Sequence, residues 1–177
     1  MINEQQINNV FNILSKMLNV ELKWDFAEDG EMPNEINGVF LKPEEAKQFF
    51  GDGLYEPIIM LNPLYNVEDI ELVCVIAHES FHWYQWINQK KNPIYKKEFN
   101  DGFKMKGDFF HNQDYLNRQI EIEAYVFSNE FIKYVFDAPK VMIEVIKYLP
   151  ADKVEQAKNM ALDFINKFHK KVMNQKR

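Results

Sequence analysis

Cysteine is almost absent. Cys74 is the only one in 177 residues, so no disulfide can form within the chain and its stability must come from packing. Glycine and proline are also scarce, at 6 and 7 copies, which excludes fibrous and low-complexity architectures. Positive charge is in deficit: 21 Lys and Arg face 27 Asp and Glu, a net charge of -6. Such a balance gives little long-range attraction to phosphate backbones or anionic membranes, so neither nucleic acid nor membrane is an expected partner. No apolar run approaches the roughly 18 residues of a membrane-spanning helix. The opening segment, MINEQQINNVFNILSKM, has neither the basic start nor the unbroken apolar stretch of a secretory signal. Together with the lone cysteine, this makes a reducing, cytoplasmic setting the expectation.

What is present is apolar and aromatic. Hydrophobic residues make up 46% and aromatics 15%, with 15 Phe, far from a disordered composition. A chain of this length buries roughly two-thirds of its unfolded surface, enough for a core without staples. No repeat or linker divides it, so one domain over residues 1–177 is expected.

Periodicity predicts an α+β, mostly helical fold with a small three-stranded sheet. Ile7, Val10, Phe11, Leu14 and Leu18 recur at helical spacing over 5–18. Val20, Leu22 and Trp24 alternate with charges as a half-buried strand does. Gly38–Leu41 and Pro57–Leu61 read as two further strands, with a short helix between them over 44–53. A long helix, capped by Asn66 or Asp69, runs to about Lys91, where Asn92-Pro93 ends it. Its first half, Leu72 to Ala77, is apolar on every side, which predicts a central, buried helix. Residues 93–113 lack a steady period and read as a long irregular stretch. Lys96, Lys97, Lys104 and Lys106 lie there among Phe99 and Phe103, with Glu98, Asp101 and Asp108 offsetting their charge, as in a solvated loop or lid. Helices are expected over Asp114–Phe136, over 139–148 and after Pro150.

The informative segment is His78-Glu79-Ser80-Phe81-His82, an HExxH. Histidines at i and i+4 stand one turn apart on one helical face, so both imidazoles reach a single ion. Glu79, beside them, is placed to take a proton from a metal-activated water, the general-base arrangement of a zinc hydrolase. The surrounding helix is apolar, and burial keeps such a site preformed and partly dry.

A catalytic zinc needs a third protein ligand. Cys74 continues the stripe, but residues eight apart stand about 12 Å apart along a helix, beyond the span of one tetrahedral ion. His111 falls in the irregular stretch and His169 near the chain end. The next long helix is better placed. At about 100° per residue, Ile120, Ala124, Phe127, Phe131 and Val135 share its core face. Glu121 lies at one margin with Tyr125, Ser128 and Ile132. Glu123 lies at the other, near Gln119, Glu130 and Lys133. Glu121 has the more enclosed setting and is the first choice of third ligand; Glu123 is the second choice or a solvated or supporting carboxylate. Phe81, Trp83, Tyr84 and Trp86 crowd the motif helix and read mainly as core packing.

HExxH on one helix followed by Glu121-x-Glu123-Ala124-x-x-Phe127 on the next resembles the gluzincin class of zinc metallopeptidases. It is similar to the small ImmA/IrrE-like peptidases and to M48-type and SprT-like minimal zinc domains. The resemblance implies a zincin-like fold with one Zn2+ per chain held by His78, His82 and Glu121, and Glu79 as catalytic base. It implies a protein or peptide substrate whose peptide bonds are hydrolysed, and makes Ile58–Leu61 the edge strand that pairs with it. These families often carry Asp or Asn four residues after the ligand Glu, where this chain has Tyr125. A donor to the developing oxyanion is sought among Tyr84, Tyr115, Tyr125 and His111, and Tyr125 stands with Glu79 as the candidate catalytic pair. Two His and a carboxylate suit zinc best, though Fe(II) or Mn also accept such a set. The alternative is a catalytically inactive zincin-fold protein acting as a binding, regulatory or structural module of a phage or mobile element.

Overall fold

The computed structural model describes residues 2–28, 30–33, 35–50, 56–64, 68–101, 113–138 and 143–175. Its elements, in order, are α1 (Glu4–Leu18), β1 (Trp24–Phe26), β2 (Gly38–Leu41), α2 (Pro43–Phe50), β3 (Ile58–Leu61), α3 (Asp69–Asn88), α4 (Pro93–Asp101), α5 (Gln113–Leu116), α6 (Gln119–Val135) and α7 (Ala151–Gln175), with a 3-10 turn over Glu144–Tyr148. The fold is α+β and mostly helical, with one small mixed sheet and the HExxH segment on a long helix, in keeping with a zincin-like architecture. Among the described residues no helix is long and apolar enough to cross a membrane. The chain forms two compact units, Met1–Trp83 and Tyr84–Arg177, and the division falls inside α3.

In the first unit, α1 opens with a capping box: the Asn3 side chain accepts from Gln6 N–H, and the Gln6 side chain accepts from Asn3 N–H. Its buried stripe comprises Ile7, Val10, Phe11, Leu14, Met17 and Leu18. The strand expected from Val20 onward starts later, at Trp24. The backbone N–H of Val20 donates to the Ser15 carbonyl and that of Leu22 to Ser15 Oγ, so this stretch closes the end of α1 instead of joining the sheet. Trp24 then stacks on Phe11 at 5.3 Å.

The sheet order is β1-β3-β2, with β1 parallel and β2 antiparallel to β3. This corrects the expectation that Ile58–Leu61 is an edge strand: both of its sides are paired, and β2 is an edge. The sequence carried the reason, because Ile58, Ile59, Met60 and Leu61 are apolar without alternation and all four are buried, as in a central strand covered on both faces. Gly38, on β2, lets α3 approach closely; a Cβ there would stand 2.7 Å from Val75 Cγ1.

In the second unit, α6 packs along α7, and Phe164 of α7 meets Tyr84 and Phe127 edge-on. Tyr115, Leu116, Ile122, Val126, Val145, Leu149 and Ala157 form an apolar cluster. The helix expected over Asp114–Phe136 is broken into α5 and α6 at Asn117–Arg118, and of the one expected over 139–148 the described part is the 3-10 turn. Residues 93–101, expected to be irregular, form α4. Helix α3 ends at Asn88, short of the expected Lys91, and Asn92 serves the next helix: its Oδ1 accepts from the N–H groups of Ile94 and Tyr95 and, with Pro93 at the first helical position, opens α4. Gly51, Gly53, Asn66, residues 102–112 and 139–142 lie outside the described residues.

Candidate metal centre

Helix α3 carries the motif because its sequence is apolar around it. Leu72, Val73, Ile76, Ala77 and Phe81 are buried, while Cys74 is half-buried with its thiol pushed up to about 12 by burial. His78 and His82 are each 8% exposed, and their Nε2 atoms face one another at 3.0 Å with the rings 86° apart. A cation between them would satisfy both lone pairs.

Ligand atoms of His78, His82 and Glu121 all lie within 4.8 Å of one another, and all three residues are buried. A tetrahedral zinc with bonds of roughly 2.0–2.1 Å separates its ligand atoms by about 3.3 Å, so modest side-chain adjustment brings the set onto one ion. The donor types, two imidazoles and a carboxylate, are those of an open zinc site. Neither Cys74 nor Glu123 belongs to this group.

Glu79 is half-buried on the turn between the two histidines, and its Oε2 accepts from the backbone N–H of Phe40 at 2.7 Å. The register explains the contact. Val39 and Leu41 lie opposite Met60 and Ile58, while the Phe40 N–H belongs to the outer side of β2. The Phe40 ring also packs on Trp83 at 6.2 Å. No sequence pattern announces this contact, since 39 residues separate donor and acceptor. Ser80, between the histidines, is fully buried, and its hydroxyl has no hydrogen-bond partner among the described residues.

The two glutamates of α6 have different surroundings. The phenol of Tyr115 donates to Glu121 Oε2. Glu123, placed by the sequence at a more solvated margin, is buried, and three side chains donate to it: Gln85 at 3.0 Å and Tyr95 at 2.5 Å to Oε2, and Gln119 at 2.9 Å to Oε1. Tyr95 is held neutral well above its ordinary range, chiefly by burial and then by the charge of Glu123. Tyr84 is raised in the same direction for the same two reasons. The start of α6 has no side-chain cap of its own; instead Glu98 of α4 accepts from the N–H groups of Gln119 and Ile120 at 3.1 and 3.0 Å. Glu130, also assigned to a polar margin, is buried and paired with Lys133 at 3.4 Å.

Tyr125 is half-buried and packs against the apolar cluster around Tyr115 and Ile122. Tyr84 meets Phe164, and His111 lies outside the described residues. Gln85, Tyr95 and Glu98 were not marked as site-supporting by the sequence; the one available signal was Asn92-Pro93, which would have placed Tyr95 and Glu98 one turn apart on a helix. In comparisons with known proteins, no family model matches the chain, and no curated protein or solved structure is significantly similar to it.

Proposed function

We propose that the protein is a zinc-dependent metallopeptidase. The observation that carries this reading is the convergence of His78, His82 and Glu121 within 4.8 Å, with Glu79 on the helical turn between the two histidines. His78, His82 and Glu121 would hold one Zn2+, leaving room for a water and the substrate carbonyl. The ion supplies Lewis acidity, which lowers the pKa of a water and polarises a carbonyl. With such an ion bound, Glu79 would take a proton from the attacking water and return it to the leaving amine. The Phe40 N–H steadies the Glu79 carboxylate and orients it from β2. A general acid–base of this kind contributes about 10²–10⁴-fold to rate. Tyr125 is the proposed oxyanion donor. The substrate is a protein or peptide, and the setting cytoplasmic.

The test is bound metal per chain by elemental analysis on untagged protein, for wild type, His82→Ala, Glu121→Gln, Glu123→Gln and Glu79→Gln. We expect near one zinc in wild type, Glu123→Gln and Glu79→Gln, and loss in the other two. On peptide libraries, Glu79→Gln should lose hydrolysis while keeping its metal. Tyr125→Phe should lower kcat with metal retained; unchanged kcat would assign Tyr125 to packing. Zinc in wild type with no hydrolysis of any substrate would favour the binding or regulatory module. No zinc uptake at all, even on add-back, overturns the metal site.

A further inference from the structure

Glu121 and Glu123 are two residues apart on α6, both are buried, and both accept from a tyrosine hydroxyl. The donors nevertheless differ in origin. Three protein side chains donate to the oxygens of Glu123, which is the pattern of a carboxylate used to bind helices together. On Glu121 the phenol of Tyr115 is aimed at one particular oxygen, Oε2.

The placement of that phenol is a consequence of the break between α5 and α6. The Arg118 N–H donates to the Tyr115 carbonyl at 3.0 Å, which closes the end of α5 and turns the chain into α6. Tyr115 thereby lies beside the first turn of α6, where Glu121 is. Its ring is 7% exposed in the apolar cluster with Leu116, Ile122 and Val126. A ring packed in this way has little rotamer freedom left to lose, so its hydroxyl is fixed before any ligand arrives.

We propose that Tyr115 is the positioning residue for Glu121: by holding Oε2 it turns the carboxylate so that coordination runs through a single oxygen, Oε1. This inference rests on the metal-site reading above. Its chemical consequence is the coordination number. Two imidazoles and one carboxylate oxygen leave a position for water on a tetrahedral ion, whereas a carboxylate binding through both oxygens fills it. Outer partners of this kind fix ligand orientation, and their loss costs about 10–100-fold in metal affinity. An ordinary buried tyrosine contributes packing alone and has no such effect.

The experiment uses the full chain, with Co(II) as the spectroscopic probe and zinc affinity measured by competition with a chromophoric chelator. For Tyr115→Phe we expect zinc affinity to fall by about 10–100-fold. The visible absorption of its Co(II) form should weaken, because Glu121 released from the phenol adds a second oxygen to the ion. Tyr95→Phe removes the corresponding phenol from Glu123 and serves as the control for general loosening of α6; its Co(II) spectrum should match wild type. An unchanged spectrum and affinity in Tyr115→Phe overturns the inference, as does an equal change in Tyr95→Phe. A second measurement needs no variant. Isotope-edited infrared spectra of wild type on zinc addition should show the wide carboxylate stretch separation of one-oxygen binding, and a narrow separation overturns the inference even if Tyr115→Phe fails to fold. If wild type takes up neither Co(II) nor zinc, the metallopeptidase reading falls and this inference with it. If wild type takes up both and only the comparisons fail, Tyr115 alone is refuted.

Discussion

A buried carboxylate must be satisfied by donors or by a cation, and the two glutamates of α6 illustrate the choice. Glu123 is met by Gln85, Tyr95 and Gln119. Removing one of these donors leaves a charged acceptor partly unpaired, so Tyr95→Phe should cost about 1–3 kcal/mol at pH 7 by chemical denaturation. The pH dependence has a definite sign. The fold raises the Tyr95 pKa, chiefly by burial, so it favours the neutral phenol. That stability is fully present below the unfolded value of about 10 and is lost as pH rises above it. Wild type should therefore weaken progressively as pH rises above about 10, with Tyr95→Phe declining less. Parallel slopes would show that Tyr95 does not control the alkaline transition.

At the scale of the element, the close approach of α3 to β2 depends on Gly38. An added methyl would meet Val75 Cγ1 at 2.7 Å and Leu61 Cδ2 at 3.2 Å, and Leu61 is fully buried. Gly38→Ala should destabilise the protein by about 1–3 kcal/mol, the usual cost of overpacking, read as a fall in Tm. The same displacement moves β2 from α3 and so lengthens the contact between the Phe40 N–H and Glu79. An unaltered Tm would mean that β2 slides without cost. The boundaries of α1 were legible from its long apolar period, whereas α3, expected to run to about Lys91, ends at Asn88. Boundaries were not legible in α4, whose only buried residue is Tyr95 and whose place is set by contacts across the fold: Tyr95 to Glu123, and Glu98 to the start of α6. A short helix fixed by a few distant polar contacts carries almost no periodic signal.

For the whole molecule, a site that exists only in the folded state links metal binding to stability. Zinc at about a hundredfold excess over its Kd should stabilise the chain by about 2.7 kcal/mol. For a chain of this size that is a rise in Tm of about 5–10 °C, reversed by a chelator and absent in His82→Ala. A Tm indifferent to zinc and chelator alike would remove the preformed site. The net charge of -6 bears on this scale too, since it favours attraction of a divalent cation over that of a polyanion.

By itself the sequence determined the helical character, the strands at Gly38–Leu41 and Ile58–Leu61, the buried motif helix and the pairing of His78 with His82. Each of these follows from local spacing: 3.6 residues per turn puts i and i+4 together whatever the rest of the chain does. It also put Glu121 ahead of Glu123 on enclosure, whereas both are buried and what sets Glu121 apart is its approach to His78 and His82. Tertiary structure alone decided that Glu79 receives the Phe40 amide, that Glu98 caps α6 and that Tyr115 meets Glu121. The reason is physical. These are single polar contacts between segments remote in sequence or across a helix break, and they are fixed by packing and by the need to satisfy every buried donor and acceptor, not by any period along the chain.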